Sequence, residues 1–151
     1  MLLRQVIPLL FLYANNGGSI YGRTRFQKMI FLAQKEEEGV KEWYNFYPHD
    51  FGPYSTELQN DLDILAMEGL IRESPEEYGE KIRYQYLLTR KGTAIIEKVL
   101  NNPEHRKDLN TTLKALTTIK SKYSKLPLEK LINHVYLKYP EYAIFSKFTN
   151  Y

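Results

Sequence analysis

The chain has 151 residues and a formal net charge of +3. That length supports one domain with a real core, burying about 70% of the surface the unfolded chain exposes. With no cysteine, a disulfide framework and a thiolate metal site are both excluded, and a reducing, cytoplasmic setting is expected.

The charge is unevenly spread. Residues 1–100 hold 12 Lys/Arg against 14 Asp/Glu, whereas residues 101–151 hold 9 against 4. A polyanion should therefore prefer the C-terminal third. The 13 tyrosines suit core and rim packing, or a surface that meets a partner.

In chain order, residues 2–14 read as a buried first helix. The apolar run Val6–Tyr13 is interrupted by Pro8 and falls short of the ~20 residues that span a membrane. No small-residue cleavage pattern follows it. Asn15-Asn16-Gly17-Gly18-Ser19 is a turn. A second helix is predicted from Gly22 to Gln34, with Phe26, Met29, Ile30 and Ala33 as its stripe. Phe31 and Leu32 fall outside that stripe, so the helix should be covered on more than one side. Trp43–Tyr47 is predicted as a short strand, and Pro48, Gly52 and Pro53 as a loop.

Ser55 is a good N-cap, and Glu57 suits the positive end of the helix dipole. The third helix therefore runs from Ser55 to Met67, burying Leu58, Leu62, Leu65 and Ala66, and Gly69 stops it. Leu70–Glu73 starts a strand, Ser74–Glu80 is a polar tip, and Lys81–Leu88 returns with clean alternation. Thr89 caps a fourth helix to Leu100. A fifth covers 104–123, and a sixth runs from Pro127 to Lys138, where Pro140 stops it.

Three helices followed by a two-stranded hairpin is the winged-helix plan. The expected fold is α+β, mainly α: a winged helix-turn-helix core over 1–100, and a C-terminal helical extension over 101–151 that packs on the core or forms a dimer interface.

Three segments carry a resemblance. They are Gly22–Leu32, with Gln27-Lys28 before Met29-Ile30-Phe31-Leu32; Asp50-Phe51-Gly52-Pro53-Tyr54-Ser55 followed by Glu57-Leu58; and Leu126–Glu129 with Val135–Pro140. They resemble the YwgA-like group of small prokaryotic proteins, distantly related to SocA-like (Panacea) antitoxin domains. Phe51 stands where that pattern often has Tyr. The resemblance implies a winged-helix core and, for the antitoxin relatives, a protein-binding role. It carries no catalytic residue.

In a winged helix-turn-helix the third helix enters the major groove and the wing touches the backbone or minor groove. The expected function is DNA binding, as a dimeric transcriptional regulator; the alternative is a protein-interaction module such as an antitoxin or adaptor. Ser55, Thr56, Gln59 and Asn60 are the candidate base readers. Arg23, Arg25, Lys28, Lys81, Arg83, Arg90 and Lys91 are the candidate backbone contacts, and Lys120, Lys122 and Lys125 form a basic C-terminal patch. Glu57, Asp61, Asp63 and Glu68 oppose a duplex unless cations of the protein pair with them, for which Arg23, Arg25 and Lys28 are at hand. The acidic third helix would otherwise suit a protein partner. Leu109, Leu113, Leu116, Ile119 and Tyr123 form a candidate dimer seam, unless the sixth helix covers them.

His49, His105 and His134 lack metal-ligand spacing. Phosphate-cradling and nucleophile motifs are absent. No catalytic residue, metal or cofactor is expected.

Overall fold

The computed structural model describes residues 1–148; the last three residues of the expected extension lie outside them. A 3-10 turn, Leu3–Gln5, leads into α1 (Val6–Gly17), β1 (Ile20–Tyr21) and α2 (Arg23–Glu36). Then come β2 (Tyr47–His49), β3 (Gly52–Tyr54), α3 (Thr56–Met67), β4 (Ile71–Tyr78) and β5 (Lys81–Leu88). The chain continues through α4 (Arg90–Leu100), α5 (Arg106–Tyr123), α6 (Leu128–Lys138) and a last 3-10 turn, Pro140–Ala143. Helix accounts for 57% and strand for 16% of the described residues, so the protein is α+β and mainly helical. Both sheets are small and antiparallel: one orders β1-β5-β4, the other pairs β2 with β3. Among the described residues no helix is long and apolar enough to cross a membrane.

Local chemistry sets several boundaries. The Ser55 Oγ accepts from the Leu58 N–H at 3.1 Å and starts α3, relieving an otherwise orphan donor. Gly69 ends it with φ +75°. The Thr89 Oγ1 accepts from the Gly92 N–H and donates to the Gly69 carbonyl at 2.6 Å. The start of α4 is thereby tied to the end of α3. Gly92 is needed there for close approach, because a Cβ would lie 2.0 Å from the Leu70 carbonyl oxygen.

Two predicted elements move. Trp43–Tyr47 is loop up to Phe46, and the strand begins at Tyr47. The Gln34 side chain bonds both the N–H and the carbonyl of Tyr44 at 3.0 Å, so this buried backbone is satisfied without a strand partner. The predicted loop around Pro48 and Pro53 is instead the β2–β3 hairpin. Pro48 faces Pro53 across it, one pair in from the His49–Gly52 pair that flanks the two-residue turn, at a position where antiparallel strands exchange no hydrogen bonds. The β4–β5 hairpin is also longer than predicted: pairing runs from Ile71–Leu88 to Tyr78–Lys81, with Pro75 on the edge strand, where a proline is tolerated.

The core centres on α1 and α2. Phe11 packs edge-on against Phe26, and Phe26 against Tyr86, with ring centroids 5.2 and 5.3 Å apart. α5 lies across α1 and α2, and this overturns the expected dimer seam. Leu109, Leu116, Ile119 and Tyr123 are buried within the chain's own core, and Leu113 packs against it. The cover is α1 and α2 rather than α6.

The end of α1 is closed from a distance. Its helical geometry stops at Ala14, and Asn15 and Asn16 take positive φ. The Lys120 ammonium, from α5, donates to the Leu12 and Ala14 carbonyls at 3.1 and 2.7 Å. A cation there satisfies carbonyls that α1 itself cannot pair. Lys120 is therefore no part of a basic surface patch: it is 3% exposed, and burial lowers its pKa to about 8.

Candidate nucleic-acid interface

The predicted reading helix has a different surface from the one expected. Ser55 is fully buried. Its N–H donates to the Gln27 Oε1 at 2.8 Å, and its carbonyl accepts from the Gln27 Nε2 at 2.9 Å. It caps and anchors α3, and cannot touch a base. Thr56 is exposed and bonds the Tyr47 hydroxyl at 2.6 Å. The half-buried Gln59 donates to Asp63 at 3.1 Å. Asn60 is exposed.

The acidic residues of α3 are handled by Arg4, not by the cations of α2. The Arg4 guanidinium lies 2.8 Å from Asp61 and 3.2 Å from Glu57. Asp61 is buried and also accepts from Gln5 and from the Tyr44 hydroxyl. Burial opposes its charge, but the bonds from Arg4, Tyr44 and Gln5 outweigh that and hold its pKa below the usual range. The face that α3 shows to solvent is Thr56, Asn60, Asp63, Ile64, Met67 and Glu68, without a cation.

Two of the α2 cations are interior groups. The Lys28 ammonium is 3% exposed and donates to the Pro53 carbonyl at 3.0 Å. Burial lowers its pKa to about 7. It is a packing residue, not a phosphate contact. Gly52 makes room for it: a Cβ there would meet the Tyr136 ring at 2.9 Å and the Lys28 Cε at 3.4 Å. Gln27 and Lys28 thus clamp the Pro53–Ser55 backbone, and the first two segments that carry the resemblance meet as one contact. Arg25 is also buried and donates to the Tyr123 carbonyl at 2.9 Å, which removes it from an open backbone-contact surface. Arg23 remains exposed, bonded to Glu73 at 2.9 Å and lying 4.0 Å over the Tyr84 ring.

Of the remaining candidates, Lys81, Arg90, Lys91, Lys122 and Lys125 are exposed, and Lys91 donates to the Glu68 carbonyl. The half-buried Arg83 pairs with Glu76 and sits between the Tyr78 and Tyr21 rings, 4.1 and 4.7 Å from their centroids.

Five of these cations converge on a groove of about 960 Å³ between the β4–β5 hairpin and the α5–α6 loop. Arg23, Arg25, Lys81, Arg83 and Lys125 line it, with the rings of Tyr21, Phe51, Tyr78 and Tyr84 and one carboxylate, Glu129. The first turn of α2 opens onto the same groove. Its N-cap is Gly22, φ +99°, with no side-chain cap, so first-turn N–H groups face an anion-favouring end. Glu73 and Glu76 neutralise Arg23 and Arg83. The accessible charge without an ion pair among the described residues comes from Lys81 and Lys125, while Arg25 stays on the wall, bonded to the Tyr123 carbonyl.

The rings are what the sequence reading did not collect. They come from separate segments that the fold brings together: β1 pairs with β5 at Ile20–Tyr86 and Tyr21–Gln85, and the Gly22 N–H donates to the Tyr84 carbonyl at 2.7 Å, which holds the start of α2 beside β5.

His49 and His134 each pack against a tyrosine ring. His49 stacks on Tyr54 at 5.0 Å, and Asp50 lies 3.4 Å from Lys147. His134 sits 3.2 Å from Glu36 and 3.0 Å from the Tyr123 hydroxyl. No group of three metal-ligating side chains occurs among the described residues.

The chain is similar to the uncharacterised protein YwgA of Bacillus subtilis (strain 168). The two are 37% identical over 83 residues, which make up 55% of this chain and 49% of YwgA. The chain thus spans about half the length of that curated relative. No protein-family profile matches it.

Proposed function

We propose that this chain is a winged-helix protein that binds nucleic acid, acting as a DNA-binding regulator, and that it holds the phosphate backbone in the groove beside the hairpin. The element order α1, β1, α2, the inserted β2–β3 hairpin, α3, β4, β5, with β1 added to the edge of β5, supports the winged-helix reading. The observation that carries the binding proposal is the convergence of the exposed Lys81 and Lys125 with the uncapped end of α2. Phosphate attraction supplies most of non-specific affinity, and this is where the protein offers it. The base-reading helix contributes little to that attraction, so recognition is centred on the hairpin side.

The test is fluorescence anisotropy with labelled DNA from the chain's own upstream region, as duplex and as separated strands, with salt varied from about 50 to about 200 mM. Binding that weakens with salt is expected. Lys81→Gln with Lys125→Gln, both at exposed positions, should reduce the salt slope by about 2. No binding to either form at the low-salt end refutes the proposal.

A second reading rests on α3. Met67 is 87% exposed and Ile64 40%, on the face that carries Asp63 and Glu68. Apolar residues flanked by carboxylates suit a protein partner better than a duplex. This matches the protein-binding role implied by the resemblance to SocA-like antitoxin domains. Co-expression with the product of the adjacent reading frame tests it: co-purification that Met67→Glu abolishes would favour this reading, and its absence would count against it.

A further inference from the structure

Resting on the nucleic-acid reading, we infer that the occupant of the groove is a single strand of DNA or RNA, its bases stacked on the groove's aromatic rings and its phosphates held by Lys81, Lys125 and the first turn of α2. Three observations lead there.

The first is what a duplex would need and does not find. A duplex is read by an element that enters a groove while cations hold the flanking phosphates. The outward face of α3 carries Asp63, Ile64, Met67 and Glu68 and no cation. Its carboxylates would be pressed against the phosphates.

The second is the exposure of the rings. Tyr78 is 61% exposed, Phe51 44% and Tyr21 37%, and all three line the groove. In a duplex the bases stack on each other and cannot reach such rings, whereas an unpaired strand can splay them out. Arg83 already lies against Tyr78 and Tyr21. The guanidinium thus restrains both rings while a substantial part of each stays exposed. A platform held in this way loses little freedom when a base settles on it.

The third is the arrangement of charge around the rings. Lys81 stands at the start of β5, and Lys125 stands across the groove on the α5–α6 loop. Both lysines line the same groove as the rings. The volume of about 960 Å³ is near the top of the roughly 300–1,000 Å³ range of enclosed ligand sites. It suits a few nucleotides of one strand rather than a double helix.

The experiment compares labelled oligothymidylate and oligouridylate, each ~15 nucleotides long, with a duplex of matched length, by anisotropy on the full chain. Wild-type protein should bind a single strand about tenfold or more tightly than the duplex, and the two oligomers separate DNA from RNA. Tyr78→Ala should weaken single-strand binding by about tenfold or more, because one stacked base is lost. Tyr78→Phe, which keeps the ring, should bind like the parent. Lys125→Gln should lower the single-strand salt slope by about 0.7. Circular dichroism confirms that each variant is folded, and their exposed positions favour it. Equal or tighter binding of the duplex overturns this inference and leaves the nucleic-acid reading standing. Unchanged single-strand affinity in Tyr78→Ala also overturns it. Failure of every probe to bind at about 50 mM salt overturns both.

Discussion

Lys28→Met removes the buried ammonium and keeps the length of the side chain. In the folded protein, burial lowers the Lys28 pKa from 10.5 to about 7, and unfolding returns it to 10.5. Between those values the unfolded chain holds more protons than the folded one, so stability rises with pH across that window. Two-state titration with these two values gives a gain of about 3 kcal/mol in unfolding free energy between about pH 7 and about pH 9.5. The upper limit stays below the point where tyrosines of the unfolded chain ionise, at about 10. Above it the raised phenols of Tyr44 and Tyr86 would reverse the trend. Lys120, lowered to about 8 by burial, adds a smaller rise of the same sign and remains in the variant. The variant also leaves the Pro53 carbonyl without its donor, at a cost of about 1–3 kcal/mol that does not depend on pH. Urea denaturation, followed by circular dichroism at several pH values in this window, measures both slopes. The variant should lose more than half of the parent's rise. Equal slopes in parent and variant would refute the assignment of Lys28 as a buried amine that folds largely uncharged.

Asp61→Asn should destabilise the protein by about 1.5–3 kcal/mol, since the bonds from Arg4, Tyr44 and Gln5 lose their charged acceptor while Arg4 keeps Glu57. The depressed pKa of Asp61 means its stabilisation is present above the ordinary carboxylate range and is lost as pH falls through the folded value; acid denaturation curves should therefore be flatter in the variant. Gly92→Ala forces a Cβ against the Leu70 carbonyl and should cost about 3 kcal/mol, seen as a fall of roughly 10 °C in Tm by thermal melting. Leu116→Ala should cost about 2–5 kcal/mol, with a Tm that does not change with protein concentration, because α1 and α2 of the same chain cover it. A concentration-dependent Tm would return α5 to the role of an interface.

Features governed by local chemistry were legible in the sequence. The caps at Ser55 and Thr89 and the stop at Gly69 depend on a few neighbouring residues, and a linear reading finds them. The all-round cover of α2 was legible too, from Phe31 and Leu32 outside its main stripe. The polar residues on that helix were misjudged because residue type favours the surface, whereas tertiary packing decided. Gln27 and Lys28 face backbone groups of a loop more than twenty residues away, and no local pattern encodes that distance. The partner of Asp61 was findable in part. Asp61 falls between Leu58 and Leu62 on the buried stripe of α3, and a carboxylate there requires a cation. Arg4, beside the apolar run of α1, could have been considered. The β2–β3 hairpin was hidden by its prolines, which usually argue against strands and here face each other. Of the candidate contacts, Lys81, Arg83, Arg23 and Lys125 share one groove with Arg25 on its wall. Lys28, Ser55 and Lys120 belong to the interior, and the rings were overlooked because they come from four separate segments.

The position of α5 has a consequence for how the chain is made. α1 leaves the ribosome about a hundred residues before the helix that covers it and the lysine that closes its end. At roughly 5–20 residues per second that delay is about 5–20 s. Throughout that interval Leu9, Leu10, Phe11 and Leu12, all fully buried in the finished protein, lack part of their cover. Until α5 arrives, that apolar segment is open to aggregation or to a chaperone that shields it.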